Sequence, residues 1–211
     1  MKRYFITGTD TDCGKTYVTT QLLNYFPKSK AIKPLACGCF EIDNQLVSLD
    51  ALQIQKKCNL TLEEINPWRF KSAVSPHIAA KKEGVSVSAK ELSDYCLGLK
   101  CIDTDLLFIE GAGGVLVPIN DEETWIDFLN ITEIPVLLVV GMTLGCINHS
   151  LLTATALKSA NIECVGWIAN CLDPKMESLS ENIATLSNKL DFPCLAVVSY
   201  LGSFNMKVSL L

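Results

Sequence analysis

At 211 residues the chain is long enough for one sizeable α/β domain with a real hydrophobic core. Its 49% hydrophobic and 19% charged residues exclude a disordered chain, and a net charge of −5 without a long run of one sign makes nucleic acid and anionic membranes poor partners. No apolar stretch approaches the roughly 20 residues that span a bilayer, and Met1-Lys2-Arg3 leads straight into a short apolar run with no room for a signal peptide, so a cytoplasmic protein is expected.

Strand-like and helix-like segments alternate along the chain. Tyr4-Phe5-Ile6 reads as the first strand, and Thr16 to Phe26 as the first helix, ended by Pro27. Ala31-Ile32-Lys33 is a short strand stopped by Pro34, and Leu35 to Leu49 is loop-like, with turn signals at Gly38 and Asp43-Asn44. Asp50 stands where a helix through Lys57 would take its N-cap. Ser75-Pro76 opens a helix to about Glu83, and Ser88 opens another to Leu99, with Glu91 as its capping-box partner. Leu106 to Ile109 and Pro135 to Val140 are continuous apolar runs, suited to strands buried on both faces of a parallel sheet. A helix over Asn148 to Ser159, a strand over Val165 to Ala169, a helix over Met176 to Leu190 and a strand over Leu195 to Val198 complete the order. This alternation predicts a doubly wound, mainly parallel α/β sheet with helices on both faces, in a single domain over 1–211.

Between the first strand and the first helix lies Gly8-Thr9-Asp10-Thr11-Asp12-Cys13-Gly14-Lys15-Thr16. Strand, glycine loop, Lys-Thr and helix form a cradle for a nucleotide triphosphate: backbone N–H groups and the helix dipole meet the phosphates, Lys15 reaches the outer ones, and the Thr16 hydroxyl ligates Mg²⁺. Five residues separate Gly8 from Gly14 where the usual pattern has four, so on strict spacing Thr9 takes the first glycine's place. A plain strand-turn-helix would leave Lys15 unexplained, because a cation at a helix start is unfavourable unless an anion binds there.

In open parallel sheets, ligands bind beyond the carboxyl ends of the strands. Glu110 follows four apolar strand residues and is placed to hold Mg²⁺, with Gly111-Ala112-Gly113-Gly114 after it allowing close backbone approach. Lys33, restrained by Pro34, is placed to stabilise a transferring phosphoryl group, although by itself it reads as a solvated lysine, and Asp50 by itself as a helix cap. Gly145-Cys146-Ile147-Asn148 lies at a helix start, which attracts a carboxylate. The ten cysteines include no CxxC and are expected to be reduced core residues rather than a zinc or disulfide framework.

The glycine loop, Lys33-Pro34, Asp50-Ala51, Asn66-Pro67, Ser75-Pro76-His77, Glu110 to Gly114, Leu144 to His149 and Gly166 to Asn170 together resemble the dethiobiotin synthetase family, a group of P-loop NTPase-like proteins, from Arg3 to about Tyr200. The extended first loop is also that family's form. The resemblance implies an ATP- and Mg²⁺-dependent cyclo-ligase. 7,8-Diaminononanoate takes up CO₂ as a carbamate, ATP phosphorylates it, and the second amine closes the cyclic urea. It implies catalytic roles for Lys15, Lys33 and Thr11, and metal ligation by Thr16, Asp50 and Glu110. Nucleotide contacts are implied for Asp12, Cys13, Gly14, Lys15, Thr16, Tyr17, Asp50 and Glu110, with Gly111, Ala112 and Gly113. Asn170, Cys171, Ser199, Tyr200 and Leu201 would surround the base. Thr11, Asp12, Lys33 and Cys37 would contact the diamine and its carbamate. Leu144, Gly145, Cys146, Ile147 and Asn148 would reach the substrate's far carboxylate from the partner subunit of a homodimer.

Three departures accompany the resemblance. Cys37 and Cys39 stand at or near positions where serines are usual, and a thiol donates a weaker hydrogen bond than a hydroxyl. Asp12 is shorter than the frequent glutamate. The tail after Tyr200 lacks the usual proline and acidic residue, so a relaxed preference for the base is expected. A nucleotide-switch ATPase of the partition or division-site type shares this architecture, but such proteins carry an extra lysine where this chain has Thr9-Asp10-Thr11. An amide-forming ligase domain and a nucleotide-binding pseudoenzyme are the remaining rivals.

Overall fold

The computed structural model describes residues 1–200, 202–208 and 210. In chain order the elements are β1 (Lys2–Gly8), α1 (Lys15–Tyr25), β2 (Ser29–Ile32), β3 (Leu35–Cys37), β4 (Phe40–Ile42), β5 (Gln45–Val47), α2 (Leu49–Gln55), α3 (Leu62–Ile65) and β6 (Trp68–Phe70). There follow α4 (Pro76–Lys82), α5 (Ala89–Gly98), β7 (Leu106–Gly114), α6 (Trp125–Thr132), β8 (Val136–Met142), α7 (Cys146–Ser159), β9 (Cys164–Cys171), α8 (Leu179–Lys189), β10 (Cys194–Val198) and β11 (Phe204–Met206).

Among the described residues the main sheet has seven strands in the order β11-β10-β9-β8-β1-β7-β2. All neighbours are parallel except β11, which runs antiparallel to β10. The chain moves from β1 outward to β2 on one side, and from β7 across β1 to β8, β9 and β10 on the other. Right-handed crossovers then send the connecting helices to opposite faces, so β1 is the switch point of the sheet. This is the parallel α/β fold that the alternation of segments predicts.

Side-chain alternation along the strands divides the core. Ile6, Leu137, Val139 and Ile168 join Val18 and Leu22 of α1 in one apolar cluster. Leu138, Val140, Trp167 and Ala169 join Leu186 and Leu190 in a second, against which Ile147 and Leu151 of α7 pack. Phe5, Trp125 and Phe128 form an aromatic triad with ring centroids 5.2–5.5 Å apart, which seats α6 on β1. Trp125 also donates from Nε1 to the carbonyl of Ala112 at 3.0 Å, so the core reaches directly to the far end of β7.

Several local expectations change. Asp50 is not the cap of α2: Ser48 is, its hydroxyl accepting from the Ala51 N–H at 3.0 Å. Asp50 falls instead in the first turn of the helix, where its side chain pairs with Lys33. The segment read as loop-like over Leu35–Leu49 holds β3 and the hairpin β4–β5, whose turn residues Asp43 and Asn44 both have positive φ, the backbone that a tight hairpin turn requires. Strands of only three residues, largely buried in β3 but exposed throughout β4, are too short to leave a periodic apolar signal. The helices α3 and α6 were not predicted, although Thr61…Glu64 and Thr124…Asp127 form capping boxes. Among the described residues no helix is long and apolar enough to cross a membrane.

Candidate active site

The loop 9–14 leaves the carboxyl end of β1 at the switch point. Gly14 begins α1 with φ 84°, and no side chain caps the first-turn N–H groups, which are left free for an anion. A Cβ on Gly14 would fall 2.1 Å from Asn170 Nδ2, so the position admits only glycine. Asn170, at the end of β9, donates from Nδ2 to the Cys13 carbonyl at 2.9 Å and braces the loop from outside. Lys15 curls back over the loop, its Nζ donating to the carbonyls of Asp10 at 2.9 Å and Thr11 at 3.1 Å.

Lys33 follows β2, and its backbone is clamped. Its N–H donates to the Ile65 carbonyl at 2.9 Å, and the buried Asn66 amide donates to the carbonyls of Lys33, Pro34 and Trp68 at 2.9, 3.3 and 3.0 Å. The Lys33 ammonium lies between two carboxylates, donating to Glu110 Oε1 at 2.8 Å and to Asp50 Oδ2. Its side chain is 8% exposed, that of Glu110 is fully enclosed, and that of Asp50 is 39% exposed. Thr16 donates to Glu110 Oε1 at 2.6 Å and Thr19 to Glu110 Oε2 at 2.7 Å. Gly111, next in line, is fixed by packing rather than by a ligand: a Cβ there would fall 2.6 Å from Phe5 Cζ.

Burial by itself would lower the affinity of Lys33 for its proton, but Glu110 and Asp50 outweigh it and raise its pKa above the ordinary lysine value. Burial would raise the Asp50 carboxyl, but Lys33, helped by Thr16 and Lys15, holds it below its ordinary 3.8. Lys33 is therefore a fixed positive charge at neutral pH, not a proton acceptor. Because the folded-state value of Asp50 is depressed, its contribution to stability is present above about pH 4 and is lost as the pH falls through the lower folded value. The half-open rim position keeps this contribution modest. Asp50→Asn should accordingly lower Tm at neutral pH by an amount that shrinks as the pH falls below about 4. A Tm difference that stays constant from pH 7 to pH 2 would contradict the pairing.

Thr16, Lys33 and Asp50 line one cavity of about 690 Å³, while the enclosed Glu110 lies behind its wall. Thr11, Asp12, Gly14, Lys15, Thr16, Tyr17, Lys33, Cys37, Asp50, Ala112 and Gly113 border it; Cys13, Glu110, Gly111 and Asn170 do not. Gln53, Val74, Ser75, Pro76 and Val117 border it too, residues to which the sequence assigns no role in the site. Cys37 is half-buried there, and burial pushes its thiol up to about 12, so it stays protonated. The segment 144–148 is not part of this cavity. Leu144, Gly145 and Ile147 border a second one of about 430 Å³, with Leu144 fully exposed and Cys146 buried in the apolar cluster of α7 and α8. Cys171 is also buried in that cluster. Ser199 and Gly202 form a turn, the Gly202 N–H donating to the Ser199 carbonyl at 3.1 Å, and Tyr200 is exposed between them; Leu201 lies outside the described residues.

Residues 2–207 match a protein family described as an AAA domain. Among solved structures, chloroplast FtsY from Physcomitrella patens superposes with a TM-score of 0.57 at 18% identity, matching 98% of this chain, which spans only 62% of that one. The septum site-determining protein MinD from Pyrococcus horikoshii, complexed with Mg-ADP, gives 0.55 at 17% identity, covering 93% of this chain and 81% of its own. At such identities the likeness is one of fold. Curated relatives stand much nearer. The ATP-dependent dethiobiotin synthetase BioD of Legionella pneumophila (strain Paris) is 58% identical over 205 residues, covering 97% of each chain. The protein of the same name from Pseudoalteromonas translucida is 43% identical over 206 residues, covering 95% of this chain and 91% of its own. With identity of this order sustained from end to end, the chain belongs to the ATP-dependent dethiobiotin synthetase family.

Proposed function

We propose that the cavity joins the terminal phosphate of ATP to the carbamate of 7,8-diaminononanoate and closes the cyclic urea of dethiobiotin, releasing ADP and phosphate. One observation carries this reading: a buried, permanently charged lysine is held between two carboxylates beside a phosphate loop. Phosphoryl transfer needs positioning and charge neutralisation more than covalent chemistry by the protein. Lys15 and Lys33 supply fixed positive charge on either side of the transferring group. The open N–H groups at the start of α1 hold the phosphates. Thr11, Asp12 and Cys37 orient the diamine and its carbamate. Lys33 keeps its proton, so the attacking amine does not lose its own to Lys33.

The Asp50 and Glu110 carboxylates flank the Lys33 ammonium and the Thr16 hydroxyl bonds to Glu110, and such a set of hard oxygen donors suits Mg²⁺. Mg²⁺ bound there would neutralise charge on the outer phosphate oxygens. Incubating the protein with diaminononanoate, bicarbonate, Mg²⁺ and ATP should give phosphate and dethiobiotin together. Phosphate release that ignores the diamine would favour the nucleotide-switch alternative, for which the MinD likeness is only one of fold.

The segment 144–148 supports a homodimer. It starts α7 with Gly145 at the cap, no side-chain cap and no acidic residue in the first turn, which suits a substrate carboxylate. It lies outside the chain's own cavity, as expected of a segment lent to a partner. Sedimentation velocity should show twice the mass of one chain; a monomer at assay concentration would rule this out. By the family resemblance Asn170 and the Ser199–Tyr200 turn would meet the base, and a tail without the usual proline and acidic residue should relax selectivity. GTP and CTP should then replace ATP with appreciable rates, and strict ATP dependence would refute this. A cytoplasmic location accords with the chemistry.

A further inference from the structure

Both oxygens of the enclosed Glu110 carboxylate are occupied, but by different partners. Oε1 faces Lys33 Nζ at 2.8 Å and Thr16 Oγ1 at 2.6 Å, toward the cavity. Oε2 faces Thr19 Oγ1 at 2.7 Å, away from it. Thr16 and Thr19 stand three residues apart on α1, so their hydroxyls leave the same side of the helix and grip the carboxylate from its two ends. Thr19 is completely buried. Its single proton has two acceptors in reach, the Lys15 carbonyl at 2.9 Å and Glu110 Oε2 at 2.7 Å. The carboxylate is nearer and, as a charged acceptor, forms the stronger bond.

The terminal torsion of a glutamate is broad, so the plane of a carboxylate is set by its hydrogen bonds rather than by its own rotamer. Without the Thr19 hydroxyl, Oε2 would be enclosed and unpaired, and the group would be free to turn either oxygen toward the cavity. We propose that Thr19 is a positioning residue: it anchors Oε2 so that Oε1 alone is presented to Lys33, Thr16 and the cation side of the site. The inference rests on the reading of Glu110 as a metal-side carboxylate and deepens it.

The test compares Thr19→Val, which keeps the branched shape and deletes the donor, with Thr19→Ser, which keeps the donor. Mn²⁺ is titrated with a non-hydrolysable ATP analogue present, and the free ion is counted by electron paramagnetic resonance. Thr19→Val should weaken Mn²⁺ binding by about tenfold or more, and Thr19→Ser by less than about threefold. Affinity for the analogue without metal should not change in either. The Mg²⁺ concentration for half-maximal rate should rise by the same factor in the valine variant. Wild-type Mn²⁺ binding in Thr19→Val, or equal weakening in Thr19→Ser, overturns the proposal. Should the valine variant not fold, Thr19→Cys, a poorer donor, carries the same expectation. Glu110→Gln separates the two layers. If it leaves Mn²⁺ binding unchanged, the metal-side reading of Glu110 fails and the role of Thr19 with it. If it weakens binding while Thr19→Val does not, only the role of Thr19 fails.

Discussion

Lys33→Ala should slow phosphate formation from ATP, bicarbonate and diaminononanoate by about 10²–10³-fold, the usual cost of removing one group that stabilises transition-state charge. It should also lower stability, and the two losses have separate origins. In the folded chain the Lys33 ammonium donates to Glu110 at 2.8 Å, and the Glu110 side chain is fully enclosed. Removing the lysine leaves that carboxylate without its counter-charge where water cannot replace it, a situation that costs about 3–5 kcal/mol. Asp50, with its side chain 39% exposed, can rehydrate and adds little. Urea unfolding beside a phosphate assay reads both effects. A wild-type rate would remove Lys33 from the chemistry, and unchanged stability would show that the ion pair contributes no net stabilisation.

What the sequence makes legible follows from the range of each interaction. β7 and β8 are visible as apolar runs because both faces of a central parallel strand are buried, so every position carries the signal. The phosphate loop is visible because its constraints are local: a glycine at φ 84° and a lysine reaching back four and five residues. Asp50 is only half legible. Its position is right for the site, but Ser48 takes the cap, and the Asp50 side chain pairs instead with Lys33, seventeen residues away. Thr19 is invisible in the sequence, because a threonine in a helix looks ordinary until the fold brings Glu110 to it from 91 positions away. The aromatic seat of α6, which reaches Ala112 through Trp125, is long-range in the same way.

Lys15→Ala should abolish most turnover, again by about 10²–10³-fold or more, while leaving the resting protein nearly as stable as the parent. The contrast with Lys33 comes from what each ammonium touches before ATP arrives. Lys15 donates to the carbonyls of Asp10 and Thr11, two exposed residues of the phosphate loop, and weakly to the Cys13 thiol at 3.9 Å, and among the described residues it touches no carboxylate. Water can take over those bonds, so the net loss should stay near about 1 kcal/mol. With nucleotide the difference should appear at once. A ligand that binds only the folded state raises Tm by mass action, so Mg²⁺ with a non-hydrolysable ATP analogue should stabilise the parent clearly and Lys15→Ala much less. Lys33→Ala should instead begin from a lower Tm and retain part of the shift, because the loop and Lys15 still hold the phosphates. Were Lys15→Ala to lose as much intrinsic stability as Lys33→Ala and keep the full ligand shift, the division of labour between the two lysines would be reversed.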